Sequence, residues 1–360
     1  MAARWPDERI LTLLGIETPI VQAPMAGVAY GELAGAVAQA GGLGSLACTL
    51  LSPERLRSEW AAIRERTAKP INLNFFCHRP PRLDPDREAV WLKTLERYYV
   101  ELGIDPGAAG APGGRAPFDA AACDLACELA PQVVSFHFGL PDESLLARLR
   151  AIGAKVLSSA TSVDEARWLA QHGCDAIIAQ GYEAGGHRGM FLSDDVARQV
   201  GTLALVPQVV DAVKVPVIAA GGIADARGIA AAFALGASGV QLGTAYLFCP
   251  EVNLPPPYRE ALRAAKDDAT VVTNVFSGRP ARGIVNRIVR DLGPMSPLVP
   301  EFPRASAAVA PLRARSEPSG SAEFMPLWSG QAARLSRAMP AGDLTRALAR
   351  EALGKLSREL

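Results

Sequence analysis

The sequence predicts an α/β protein, a (β/α)8 TIM barrel with a small second module over the C-terminal face of the barrel. Eight short apolar runs alternate with Ala-rich segments of helical period, which is typical of a parallel sheet. Most of these runs follow one another at the spacing of one strand–helix unit. Eight such units favour a closed barrel over an open, doubly wound sheet.

The predicted strands are short and rich in apolar or β-branched residues, as strands buried on both faces are. They cover residues 20–23, 43–45, 71–74, 133–136, 156–159, 176–180, 217–220 and 239–242. Between them, segments such as "GELAGAVAQA", "VDEARWLAQHG" and "DARGIAAAFALG" predict helices. Gly153, Gly173 and Gly236 each follow a helical segment, where glycine commonly ends a helix.

Two departures from this rhythm predict what lies outside the barrel. The third interval, between 74 and 133, is roughly 60 residues long. It holds the helical stretch "DREAVWLKTLERYYVELG" and a Gly/Ala/Pro-rich stretch at 106–117. After the eighth strand the chain becomes Pro-rich and then helical again. We therefore predict a barrel over 1–245, a substrate-side module over 246–320, and C-terminal helices returning to the barrel over 321–360.

Composition narrows the classes of partner. The 37 Lys and Arg residues balance the 37 Asp and Glu residues, so no excess charge points to nucleic acid or an acidic membrane surface. The uncharged stretch between Arg227 and Glu251 contains "LGASG", which predicts a helix, a turn and a buried strand rather than a membrane span. The charged N-terminus "MAARWPDERI" predicts a protein without a secretory signal. The oligomeric state stays open.

The cysteines and acids predict no metal site. None of the six cysteines forms a CxxC pair or a cluster with histidine at zinc spacing, so we expect reduced thiols in a cytoplasmic protein. Paired carboxylates, a GxSxG elbow and a P-loop are absent from the strand ends. Glycoside hydrolysis and metal-dependent hydrolysis therefore lack their usual groups.

The predicted strand ends instead carry amides, hydroxyls, glycines and two histidines. Amides and backbone donors suit a large, flat, polar heterocycle, and glycines after the last two strands suit a phosphate. The two glycine runs are "AAGGIAD" at 219–225 and "QLGTAY" at 241–246. FMN has both parts, so the strand ends favour FMN as the cofactor.

Several long motifs resemble those of the class I nitronate monooxygenases, formerly called 2-nitropropane dioxygenases. They are "PIVQAPMAGVAYGELAGAVAQAGGLGSL", "INLNFFCHRP", "VVSFHFGLP", "AIIAQGYEAGGHRG", "VIAAGGIADARGIAAAFALGASGVQLGTAYLFCPE" and "VFSGRPARGIVN". Together they run from about residue 10 to residue 290 in the order and spacing of that family.

The resemblance implies a flavoprotein that oxidises alkyl nitronates, such as propionate 3-nitronate, with O2 to a carbonyl compound and nitrite by way of a flavosemiquinone. It implies that His187, in "GGHRG", is the active-site base and that His137 lines the substrate pocket. The FMN-binding positions that it implies are Ala23, Pro24, Met25, Asn74, Gln180, Gly185, Gly186, Gly221, Gly222, Gln241, Leu242, Gly243 and Thr244. It implies detoxification as the biological role.

A physical argument supports the role of His187. A carbon next to a nitro group is unusually acidic, and neutral imidazole, with an ordinary pKa of about 6.5, removes such a proton near neutral pH. The flanking glycines let the loop pass close to a bound ring. A structural role is the alternative interpretation of each histidine. His137, for example, lies between two phenylalanines and could pack against the edge of a hydrophobic core. Arg279 and Arg282, in "GRPARG", are open to two interpretations: an anion site or a solvated loop with ion pairs.

Two other functions fit the same fold. One is an NAD(P)H-dependent FMN reductase, a quinone or enoyl-thioester reductase, because such barrels also present QAPM-like and GG motifs. The other is an FMN-binding protein without turnover. His187 and His137 argue against the second alternative, because FMN binding alone needs neither histidine.

Overall fold

Eight parallel strands form the central sheet of the computed structural model, which describes residues 4–105, 107 and 116–357. Each of the eight predicted strands is present. They are β1 (Ile20–Gln22), β2 (Gly44–Ala47), β3 (Ile71–Phe76), β4 (Val133–His137), β5 (Lys155–Ala160), β6 (Ala176–Gln180), β8 (Val217–Ala220) and β9 (Gly239–Leu242).

The sheet closes into a barrel. Its strand order is β1-β9-β8-β6-β5-β4-β3-β2. The two outermost strands meet through the Leu43 backbone: the Gln22 N–H donates to the Leu43 carbonyl, and the Leu43 N–H donates to the Ile20 carbonyl, each at 2.9 Å. The TIM-barrel prediction is therefore confirmed.

Helices fill most of the intervals between the strands, and others precede the first strand or follow the last. They are α1 (Arg9–Leu14), α2 (Gly31–Gln39), α3 (Pro53–Arg66), α4 (Pro85–Leu102), α5 (Ala120–Leu129), α6 (Glu143–Ala151), α7 (Val163–Gln171), α8 (Thr202–Ala212), α9 (Ala226–Ala234), α10 (Pro256–Ala264), α11 (Arg287–Leu292), α12 (Ser306–Ser316) and α13 (Ala341–Leu356). Gly153, Gly173 and Gly236 have positive φ values of 84°, 87° and 89°, as their predicted helix-ending positions require. No helix in the described ranges is long and apolar enough to cross a membrane.

A second hydrophobic core lies outside the barrel core. It contains Trp91, Leu95, Tyr98 and Tyr99 of α4 together with apolar residues of the region 275–324. The helix of the long third interval therefore packs against the chain that follows the eighth strand. The domain limits 1–245, 246–320 and 321–360 stay a prediction, and most of the stretch at 106–117 falls outside the described residues.

The C-terminal helix α13 packs on the barrel helices α2 and α9. Helix α13 is also tied to the chain that follows β9: the hydroxyls of Thr345 and Tyr246 are hydrogen-bonded at 2.7 Å, and the Ala341 N–H donates to the Glu251 carboxylate at 2.9 Å. The segment 325–332 precedes α13 in the chain and passes over the C-terminal ends of the strands. Several of its residues line a cavity there.

A small antiparallel sheet lies beside the barrel mouth and was not predicted. It joins β7 (Gly186–His187), β11 (Ala281–Ile284) and β10 (Thr270–Thr273) in the order β10-β11-β7. His187 pairs with Ala281, and Gly186 pairs with Arg282. This sheet brings the histidine loop and the "GRPARG" segment together, although about 95 residues separate them in sequence.

Candidate active site

A cavity of about 290 Å³ opens at the C-terminal ends of the barrel strands, and we refer to it as the mouth cavity. It brings together nearly all of the predicted site residues. Those that line it are Ala23, Pro24, Met25, Asn74, His137, Gln180, Gly185, Gly186, His187, Gly221, Gly222, Gln241, Gly243 and Thr244. Leu242 is not among the lining residues, because its side chain is buried in the barrel core. Its carbonyl accepts the Ala23 N–H at 2.8 Å.

The imidazole of His187 lies among polar and aromatic groups at the cavity wall. Its Nε2 is 2.9 Å from the hydroxyl of buried Ser277. The rings of Phe302 and Trp328 lie 5.3 and 5.4 Å from the imidazole, measured between centroids. These neighbours restrict the rotamers available to the ring, which is the requirement for a preorganised catalytic group.

The backbone of His187 is fixed from two sides. Its carbonyl accepts hydrogen bonds from Nε2 of His137 at 3.1 Å and from Nε2 of Gln180 at 3.0 Å. The Gln180 oxygen in turn accepts the Gly189 N–H at 2.7 Å. Because β7 is also paired with β11, the loop that carries His187 is held by both strand pairing and side chains.

His137 is half-buried and is held in its neutral form. Burial lowers its pKa to about 3, with the nearby charges of Arg279 and Arg188 acting in the same direction and the hydrogen bond to the His187 carbonyl opposing it. A carbonyl only accepts, so Nε2 of His137 carries the hydrogen and Nδ1 accepts from the Ser159 hydroxyl. Both ring nitrogens are thus engaged within the protein. The tautomer of His137 is fixed by its neighbours.

Part of the cavity lining is glycine backbone. Gly221 and Gly222 have φ values of 113° and 69°, a region that side-chain-bearing residues rarely adopt. A Cβ on Gly185 would lie 2.5 Å from the Gly330 nitrogen, so glycine is required where residues 329–330 cross the loop. The Gly330 N–H donates to the Thr244 hydroxyl at 2.9 Å.

Two arginines near the site are structural. Arg282 is 3% exposed, and its guanidinium donates to the carbonyls of Tyr182 and Thr270 at 3.0 and 3.3 Å. Arg188 is fully buried and donates to the carbonyls of Gln180 and Gly181, each at 2.8 Å. The interpretation of "GRPARG" as a solvated loop with ion pairs is wrong, because Arg282 is buried in β11 and both arginines of the segment donate to backbone carbonyls.

Sequence reasoning did not single out several residues of the site. They are Ser277, Phe302, Trp328, Tyr258 and Arg313. All come from the chain beyond the eighth strand, where the strand–helix rhythm is lost. Ser277 alone lay within a recognised motif, "VFSGRPARGIVN". No group of three or more His, Cys, Asp or Glu residues suited to a metal ion occurs among the described residues.

The fold and the cavity define a TIM-barrel enzyme with its site at the C-terminal ends of the strands. The family model for nitronate monooxygenase matches residues 7–351. The nitronate monooxygenase of Pseudomonas aeruginosa is 43% identical over 350 residues, which cover 96% of this chain and 99% of that protein. The nitronate monooxygenase of Paraburkholderia phytofirmans is also 43% identical, over 95% of this chain and 94% of that protein.

Two solved structures are similar to this chain over nearly its whole length. A nitroalkane oxidase from Streptomyces ansochromogenes superposes with a TM-score of 0.89 at 38% identity, over 98% of this chain and all of that one. FabK from Thermotoga maritima gives a TM-score of 0.74 at 29% identity, over 99% and 98% of the two chains. The chain belongs to the nitronate monooxygenase family. It is an oxidoreductase that oxidises nitronates, which are small molecules.

Proposed function

We propose that this enzyme binds FMN in the mouth cavity and uses O2 to convert alkyl nitronates, such as propionate 3-nitronate, into a carbonyl compound and nitrite, with His187 as the active-site base. One observation carries the proposal. The imidazole of His187, held by Ser277, lines the same cavity as a wall of glycine backbone suited to a flavin phosphate. We propose a detoxifying role. The proposed location is the cytoplasm, with which the six free cysteines are consistent.

The residues of the cavity fit FMN. Gly243 precedes the 3-10 turn Thr244–Phe248, whose first N–H groups receive no side-chain cap, and such exposed N–H groups bind phosphate. A Cβ at Gly243 would meet no protein atom closer than 3.5 Å. The space beside this glycine therefore belongs to the cavity. Gly221, Gly222, Gly243 and Thr244 would hold the phosphate.

Gln241 offers the cavity a polar atom that no protein group uses. The Oε1 atom of Gln241 is buried and has no hydrogen-bond partner among the described residues, which is costly unless a ligand supplies a donor. An isoalloxazine ring has an N–H group of this kind. Ala23, Pro24, Met25, Asn74 and Gln180 line the same cavity and would hold the ring together with Gln241.

The chain's own residues handle the proton. With a neutral nitroalkane, His187 removes the hydrogen from the carbon next to the nitro group. With a substrate already present as nitronate, His187 donates a hydrogen bond toward the nitro oxygens instead. FMN, when bound, accepts the electrons of the nitronate. His137 has both ring nitrogens engaged, so it acts as a positioning residue for the His187 backbone and not as a second base.

An anaerobic titration of the purified holoenzyme tests this function. Separate portions receive propionate 3-nitronate and NADH while the flavin absorbance between 350 and 500 nm, roughly the range in which flavins absorb, is followed. We expect a spectral change with the nitronate, none with NADH, and nitrite formation after air is admitted. Bleaching by NADH without any response to nitronate would instead place the enzyme among the NAD(P)H-dependent FMN reductases.

A further inference from the structure

Arg279 joins the segments that carry the two histidines of the site. Its guanidinium donates a hydrogen bond to the Met190 carbonyl, in the loop that follows His187, and lies over the Phe138 ring at 4.0 Å from the ring centroid. Phe138 directly follows His137, the last residue of β4. One side chain therefore holds the loop after β4 against the loop after β7.

The backbone of Arg279 is fixed at the same place. The Ser277 hydroxyl lies 2.9 Å from Nε2 of His187 and donates to the Arg279 carbonyl at 3.4 Å. Gly278, which precedes Arg279, has a φ of 92°, and a Cβ there would lie 2.2 Å from the Pro300 carbonyl oxygen. Close packing on Gly278 therefore restricts the position from which the Arg279 side chain extends.

Phe138 is held in a strained backbone conformation. Its φ is 72°, in the left-handed region that a bulky side chain rarely adopts. Its ring lies 4.5 Å from the His137 ring and 6.2 Å from the His187 ring, measured between centroids. Because the guanidinium of Arg279 packs on this ring, it stabilises the strained turn and places its charge one ring away from both imidazoles.

The charge of Arg279 is not neutralised by direct contact. Within the described part of the chain its guanidinium makes no ion pair with a carboxylate, and its Nε is buried without a hydrogen-bond partner. Asp194 and Glu165 act on it only as more distant charges. A positive charge beside an imidazole opposes protonation of that imidazole. For His137 this effect adds to burial, the main cause that lowers its pKa to about 3.

We propose that Arg279 is a positioning residue of the reaction. Its side chain clamps the loop of His137 to the loop of His187, and its charge opposes protonation of His187, so the imidazole stays able to accept a proton as the pH falls. This inference rests on the proposed function, in which His187 is the base. Arg279 does not line the mouth cavity, so it acts through the two histidines and not by contact with the substrate.

Other charged or titratable groups surround the two imidazoles and stay unchanged in the test. The His78 ring packs against the Phe138 ring at 6.2 Å between centroids. Arg188 acts on His137 as a second, weaker cation. The remaining groups are Tyr258, Arg313, Glu165 and Asp194. A pH shift that follows only the side chain at position 279 therefore reports the charge of that side chain.

The pH profile of kcat/KM with nitroethane, a neutral nitroalkane, tests the charge. In Arg279→Gln we expect the acidic limb to move to higher pH by about half a unit to one unit, because the imidazole no longer has a cation beside it. On that limb kcat/KM should fall about three- to tenfold more than on the plateau. Arg279→Lys keeps the charge and should leave the limb in place. Arg279→Met keeps an apolar stem on the Phe138 ring; it should show the same shift and replaces Arg279→Gln where that variant fails to fold.

Two further variants separate charge from packing. Phe138→Leu keeps every charge but removes the ring under the guanidinium, so it should lower the plateau of kcat/KM about three- to tenfold without moving the limb. Arg290→Gln removes an exposed charge from α11 and should change neither. The same pH shift in Phe138→Leu or in Arg290→Gln would overturn the inference.

Proton NMR of the FMN-loaded protein gives a readout without turnover. The imidazole C2–H resonance of His187, assigned by its loss in His187→Asn, should titrate at higher pH in Arg279→Gln by the same amount as the limb. An unchanged titration of this resonance would also overturn the inference. A wild-type enzyme that forms no nitrite from nitroethane or from propionate 3-nitronate would instead refute the proposed function, and the NMR titration would still measure the effect of Arg279 on His187.

Discussion

The two walls of the mouth cavity are built in different ways. The wall proposed for FMN comes from strand ends of the barrel and consists mainly of backbone, as at Gly221, Gly222 and Gly243. The other wall consists of side chains, such as His187 and Trp328, that depend on chain segments outside the barrel. The first wall is therefore tied to strand order, whereas the second depends on long-range packing.

This difference indicates which wall determines cofactor binding and which determines substrate choice. Backbone N–H groups at strand ends recognise a phosphate whatever the neighbouring side chains are. The side-chain wall is fixed by a three-stranded sheet and by the second core, which anchors α12. Substitutions on the backbone wall should change cofactor affinity, and substitutions on the side-chain wall should change catalysis and substrate choice.

The largest effect is expected at His187. We expect His187→Asn to lower kcat/KM for a neutral nitroalkane by about 10²- to 10⁴-fold, since general-base catalysis contributes that much, and to affect nitronates much less. Steady-state nitrite release with both substrate forms at one pH measures this. His172→Asn, on an exposed position after α7, is the control. Equal losses on nitroalkane and nitronate would argue against proton abstraction by His187.

The backbone wall is tested at Gly243. A methyl group there enters the cavity without meeting protein closer than 3.5 Å, so Gly243→Ala should fold normally but bind FMN about tenfold to one-hundredfold more weakly. Fluorescence quenching of FMN by the apoprotein measures the Kd. Gly354→Ala, where a Cβ on α13 meets nothing within 4 Å, should leave the Kd unchanged. An unchanged Kd in Gly243→Ala would remove this residue from the phosphate site.

The half-buried, neutral His137 predicts an acid-sensitive fold. Its folded pKa of about 3 lies below the unfolded value of 6.5, so its stabilising contribution is complete above pH 6.5 and is lost as the pH falls toward 3. The loss amounts to about 2 kcal/mol of unfolding free energy at pH 5. Urea unfolding at pH 7.5 and pH 5 should show a smaller difference for His137→Gln than for the wild type. Identical pH dependence in both proteins would contradict the buried neutral form.

A smaller effect is expected at Ser277, which holds Nε2 of His187. Ser277→Ala should lower kcat/KM for nitroalkanes by about tenfold and shift its pH profile, because a hydrogen bond to the base changes its basicity. Ser277→Thr keeps the hydroxyl and should restore most of the activity and the original profile. A loss of activity with an unshifted profile would reduce Ser277 to a packing role.

Much of the fold and of the backbone wall could be predicted from the sequence. Strand positions follow from local apolar runs, and the helix ends at Gly153, Gly173 and Gly236 follow from the positive φ that glycine allows. The glycine pair 221–222 and the segment 241–244 follow strands directly. Because every parallel strand of a barrel ends at the same face, these local signals were enough to place them at one cavity.

The side-chain wall was decided by tertiary structure. No periodicity in the sequence shows that Gly186–His187 pairs with Ala281–Ile284, or that Ser277 lies against His187. The orientation of Arg313 toward the cavity likewise depends on the packing of α12 against α4. These contacts join residues that lie far apart in the chain, so they form only when the whole protein folds. The sequence by itself determined the barrel and its backbone wall, and the tertiary structure decided which side chains face the substrate.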